Sequence, residues 1–270
     1  MMRPYRLATR YALAEQAGNR FALTLVAAFV PLWVALMDWV VPHTAVAFHY
    51  RAGDRTLGVD GQHLSLLTGA LNAVTLIVGF MMFSAARRCA PFERRLIHCG
   101  FPARSLLAAK LTMLTVVAFL TTAYTTALVR MFWTPEQLLP LGLSLLAAAF
   151  AYGGLGILVA VALPGQLEGM FVIVMTSLVD TTIQNPMGNP AADKSVLRYF
   201  PAYGPMQSAV GAGFTRHTPW PYTALAAAWL AGTALVGLTV LHLRTRSRYP
   251  MAPAPAQARS VPEATARAQR

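Results

Sequence analysis

The amino-acid sequence predicts an all-α integral membrane protein. It has six transmembrane helices, cytosolic helices at the N-terminus and after the second span, and a re-entrant helical segment between spans 5 and 6. Three observations predict it. The 270 residues are 56% hydrophobic and only 12% charged, about half the charge of a soluble domain. Apolar runs recur at about 20 residues, the length a helix needs to cross a bilayer core of about 30 Å. Basic residues are dense in alternate connections and sparse in the others.

Residues 21–41 form the first run, uncharged up to Asp38. Arg3, Arg6, Arg10 and Arg20 precede it, and no small-x-small cleavage site follows promptly, so it reads as a retained span. The second run, 64–86, carries no charge. The third, 106–129, is uncharged after Lys110, which can snorkel from one end. The fourth, 138–163, is uncharged. The fifth, 168–184, is interrupted by Asp180, and the sixth is 222–241. Residues 244–270 hold four prolines among Ala, Gln and Arg with no large apolar run, and read as a disordered basic cytosolic tail.

Counted by alternate sides, 15 of the 22 basic residues fall on one side and six on the other. The positive-inside rule then puts both termini in the cytoplasm. The same rule supports the fifth span: without it, the Arg-rich tail would lie outside. The net charge of +12 is therefore topological, and nucleic acid is not an expected partner. Nearly all the basic residues are Arg, with Lys only at 110 and 194, and Ala is abundant. That composition suggests a GC-rich bacterial genome, and with it the bacterial cytoplasmic membrane.

Chemistry-bearing motifs are few. Cys89, His98 and Cys99 lack zinc-ligand spacing, so no metal site is expected. Gly188 to Ser195 imitates a phosphate-binding loop, but Asp193 stands where the second glycine is required. The chain is thus expected to bind no nucleotide and no cofactor. His43, His49 and His63 share no helix face and read as surface histidines.

Asp180 is the one charge well inside a span. It lies twelve residues past Glu168, roughly 18 Å along a helix and so past the midplane towards the outer leaflet; at the bilayer centre a carboxylate costs roughly 2.5–3.5 kcal/mol. Thr176, Asp180 and Gln184 share one helix face, with Ser177 beside them. Two readings stand: a polar stripe facing protein or a water-filled path, or a helix-end residue bonded to the following external segment. In span 2, Asn72, Thr75, Gly79 and Phe83 also share a face. The threonines of span 3 suit bonds to i−4 carbonyls, and Gly153, Gly154 and Gly156 suit close helix packing.

Two connections carry more. Residues 87–105 are dense in Arg around Glu93, with Pro91 to start a short helix and Gly100-Phe101-Pro102 to stop it. Such a helix on the inner face either docks a soluble partner or serves only as a basic topology loop. Residues 185–221 are half apolar around Tyr199, Phe200, Pro201, Gly204 and Pro205, and predict broken helices dipping into the outer leaflet.

This pattern resembles the permease subunit of type-2 ABC exporters. The likeness covers about residues 1–243. Its local strings are Phe92-Glu93-Arg94, then Pro102, Ser105 and Lys110, and later Phe200-Pro201-x-x-Gly204-Pro205. It implies that the 87–105 helix is the coupling helix meeting a separate cytosolic ABC ATPase, through Phe92, Glu93, Arg94 and Arg95. ATP and Mg2+ would then bind the ATPase, and the chain would be no enzyme itself. It further implies a homo- or heterodimer with a second permease copy. Spans 2 and 5 would line a path for an amphiphilic or lipophilic substrate (drug, antibiotic or lipid), with Asn72, Thr75, Gly79, Phe83, Thr176, Asp180 and Gln184 on it. Two other readings use Asp180 without an ATPase: an integral-membrane enzyme with an external histidine, and a proton-coupled carrier.

Overall fold

A computed structural model describes residues 2–187, 189, 194–217 and 219–246. Eight α-helices and one hairpin follow in chain order: α1 Met2–Gly18, α2 Arg20–Val40, β1 Ala45–Tyr50, β2 Arg55–Asp60, α3 Gly61–His98, α4 Ala103–Phe132, α5 Leu138–Ala162, α6 Gln166–Gln184, α7 Tyr203–Phe214 and α8 Trp220–Arg246. The described residues are mostly helical. Among the described residues, α2 to α6 contain the five helices long and apolar enough to cross a membrane, as in a multi-pass membrane protein. The predicted sixth run, 222–241, lies within α8. Most of the predicted tail, 247–270, lies outside the described residues.

The hairpin is the element the all-α expectation lacks. Each strand has six residues, paired antiparallel from Ala45↔Asp60 to Tyr50↔Arg55. A short 3-10 turn over Arg51–Gly53 joins them, and Asp54 adopts left-handed backbone (φ 45°) to close it. Val46, Phe48 and Tyr50 supply the β-branched and aromatic side chains a pleated strand favours. Asp60 ends β2 and caps α3, its carboxylate accepting the Gln62 N–H at 2.9 Å.

Helix α3 is the central helix, packed against α2, α4, α5 and α6. The core gathers Leu64, Leu71, Val74, Ile77, Met82, Leu114, Leu145 and Tyr152. α3 and α5 cross backbone to backbone. A Cβ on Gly156 would collide with the Gly79 carbonyl oxygen, so the crossing requires glycine.

The second connection corrects the expectation of a separate short helix. α3 runs unbroken through Pro91 to His98. Its 38 residues span about 57 Å, nearly twice a bilayer core. Proline removes one backbone bond and crowds the preceding turn, yet anchors on both sides of it keep the helix whole. Before Pro91, Arg87 donates to the carbonyls of Ala160 (3.5 Å), Leu163 (3.0 Å) and Pro164 at the end of α5, and the Cys89 thiol donates to Glu15 at 2.6 Å. After it, Lys110 pairs with Glu93 at 2.6 Å. The predicted stop is where it was expected: the exposed Cys99 ends the helix, and Gly100 turns the chain at φ +86°.

Candidate functional site

The polar faces of α3 and α6 meet each other. The hydroxyls of Thr75 and Ser177 lie 2.8 Å apart. The Asn72 side-chain oxygen accepts from Ser177 at 3.3 Å and from Thr181 at 3.1 Å. All four residues are buried. Small hydroxyl residues suit this seam because they bring helices close while satisfying one another where no water helps.

Asp180 sits beside the seam near the C-terminal end of α6, 1% exposed. One carboxylate oxygen accepts the Tyr152 hydroxyl at 2.5 Å and the Ala202 backbone N–H at 2.8 Å. The other accepts from the Gln184 amide at 3.3 Å, and that amide also donates to the Leu197 carbonyl at 3.3 Å. Ala202 precedes the first residue of α7, and its side chain makes no cap bond. The α6 carboxylate therefore takes the place of an N-cap, where negative charge suits the helix dipole. A single side chain joins α5, α6 and the start of α7.

The sequence-predicted residues of this region fall in separate groups. Asn72 and Thr75 belong to the buried seam with Ser177 and Thr181, and Asp180 and Gln184 to a second buried hydrogen-bonded group beside it. Gly79 and Phe83 are packing residues: Gly79 makes the α3–α5 crossing, and the Phe83 ring fills the space beside Gly169. Thr176 lies at the edge, its carbonyl accepting from the Tyr152 hydroxyl at 3.4 Å. Sequence reasoning missed Tyr152, Thr181 and the Ala202 N–H. Tyr152 carried a signal, as a lone phenol in an otherwise apolar run that must bond to something when buried. The predicted hydroxyl bonds of span 3 are present, with Thr112, Thr115, Thr122 and Thr125 each donating to the i−4 carbonyl at 2.8–2.9 Å.

Near the C-terminal end of α3, Phe92 is 61% exposed and Arg95 is exposed. Glu93 instead turns inward to Lys110. The Arg94 side chain lies outside the described residues.

The predicted re-entrant residues follow α6. Tyr199 ends a 3-10 turn over Ser195–Tyr199 and is 80% exposed. Phe200 is half-buried, and Pro201, Gly204 and Pro205 are buried. α7 is buried along nearly its whole length and is tied to the hairpin by the Tyr50 hydroxyl, which donates to the Gln207 carbonyl at 3.2 Å. Burial pushes the Tyr50 phenol up to about 12, so it stays a donor at all ordinary pH.

Beside the hairpin, His43 bonds Asp60 at 2.6 Å, and His63 stacks on Trp133, which stacks on Phe214. Burial alone would raise the Asp60 carboxyl. The bonds from His43 and the Gln62 N–H, with the nearby imidazoles, outweigh it and hold Asp60 below its ordinary value.

Comparison of the chain with protein-family models and with curated proteins found no match in either.

Proposed function

We propose that the chain is the membrane-spanning subunit of an ATP-driven type-2 ABC exporter, moving an amphiphilic or lipophilic substrate outward on energy supplied by a separate ATPase. One observation carries this reading. α3 is a single helix whose inner end presents the exposed Phe92 and Arg95, and whose membrane portion carries the polar seam to α6. A push on that end would be carried to the seam along one unbroken helix.

In this reading α8 is the sixth span, both termini are cytoplasmic, and the membrane is the bacterial cytoplasmic membrane. The 3-10 turn and α7 dip into the outer leaflet without crossing. The twelve residues of α7 reach about 18 Å, too short to span, and its burial satisfies the rule that such backbone be covered by protein. The α3–α6 seam is the closed state of the substrate path, which a second permease copy completes. Phe92 and Arg95 contact the ATPase, with Arg94 beside them, while Glu93 holds the helix to α4. Asp180 is saturated by three donors, which favours a joint over a proton relay or a general base.

The test is reconstitution. The purified chain in nanodiscs hydrolyses no ATP, and co-expressed with the ABC ATPase of its own operon it yields a complex with ATPase activity that drives export. Phe92→Ala with Arg95→Glu abolishes the coupling but leaves the chain folded. ATP turnover by the chain alone, or a complex indifferent to both substitutions, would overturn the reading.

A further inference from the structure

Helix α1 has two different long faces. Tyr5, Ala8, Thr9, Ala12, Leu13 and Gln16 are buried or half-buried. Arg6, Leu7, Arg10, Tyr11 and Ala14 are exposed and fall on the opposite arc at helical spacing. Leu7 is 54% and Tyr11 67% exposed. Among the described residues neither Arg6 nor Arg10 has a hydrogen-bond or ion-pair partner.

The position of α1 explains why such a face exists. Near its start, the Tyr5 hydroxyl meets Thr112 of α4 at 2.7 Å. Near its end, Glu15 accepts from Cys89 of α3 at 2.6 Å and lies 3.9 Å from Arg88. Both contacts lie beside the Glu93–Lys110 pair, where α3 and α4 leave their apolar stretches. α1 therefore packs along α4 and reaches α3 near its end, and Asn19 caps α2 directly after it by accepting the Ala22 N–H at 3.3 Å.

We propose that the Arg6–Leu7–Arg10–Tyr11 face of α1 binds anionic phospholipid of the inner leaflet. The guanidiniums hold headgroup phosphates in the forked geometry arginine favours, while Leu7 and Tyr11 enter the headgroup–acyl boundary. This inference rests on the cytoplasmic placement of the N-terminus in that reading, but on neither the ATPase nor the substrate path.

The experiment is native mass spectrometry of the full chain released from membranes of equal phosphatidylglycerol and phosphatidylcholine. Each arginine near an anionic surface contributes about fivefold, so R6Q/R10Q lowers the preference for phosphatidylglycerol about thirtyfold, whereas R6K/R10K retains most of it. In the unaltered chain, a photo-crosslinkable phosphatidylglycerol labels peptides within residues 4–14. Equal lipid retention by wild type and R6Q/R10Q, or labels confined to other segments, overturns the proposal. So does an R6Q/R10Q chain that keeps its lipid but loses a soluble partner, which would assign the face to that partner.

Discussion

The energetic weight of Asp180 lies in the donors it satisfies. Replacing it with Ala leaves the Ala202 N–H buried without an acceptor and the Tyr152 hydroxyl with only the longer contact to the Thr176 carbonyl; an orphaned buried group costs about 1–3 kcal/mol. We expect Asp180→Ala to lower the melting temperature measured by scanning fluorimetry in detergent, and Asp180→Asn to lower it less. Tyr152→Phe removes one donor and is milder still. A double-mutant cycle between 152 and 180 returns a coupling of about 0.5–3 kcal/mol, and additivity would separate the two residues. Asp60 gives a pH prediction. Its carboxyl is depressed in the folded chain, so its contribution is present above the ordinary value of 3.8 and is lost as pH falls through the lower folded value. Hydrogen exchange at the hairpin and the first turn of α3 quickens below about pH 4, and Asp60→Asn flattens that dependence.

Among the elements, α3 shows what sequence reading reaches and where it stops. Its apolar stretch, the shared face from Asn72 to Phe83 and the stop at Gly100 were all legible, since periodicity and a positive-φ glycine are local properties. Continuity through Pro91 was not, because it depends on Arg87, Cys89 and Lys110 finding partners 17 to 77 residues away. The Glu93–Lys110 pair was not legible for the same reason, since it joins α3 to α4. The charge swap E93K/K110E is therefore expected to recover folded protein that E93K alone loses, as monitored by size-exclusion yield. The hairpin was missed because a six-residue alternation is short beside the spans around it. At the α3–α5 crossing, Gly156→Val forces the helices apart and destabilises by about 1–3 kcal/mol or more; loss of monodisperse protein checks it.

Over the whole molecule, the distribution of exposed side chains matches a chain solvated by lipid. Leu32 and Trp39 on α2, Phe119 and Leu120 on α4, and Leu167 and Phe171 on α6 are all more than half exposed, far more apolar surface than water tolerates. Composition and basic-residue alternation made this legible without any structure. What the two polar faces do with each other was not legible, because facing pairs across α3 and α6 are more than 100 residues apart in the chain. Single-cysteine accessibility mapping is expected to find the 42–63 and 130–137 connections on one side of the membrane, and the 87–105 and 164–167 connections on the other.

The two native thiols differ in a way that serves measurement. Cys89 is half-buried against Glu15, whereas Cys99 stands exposed just past the last turn of α3. A maleimide fluorophore or spin label added to the unmodified chain will partition to Cys99. The tip of the central helix thus carries a natural reporter, and its displacement can be timed in the wild-type sequence without engineering a probe.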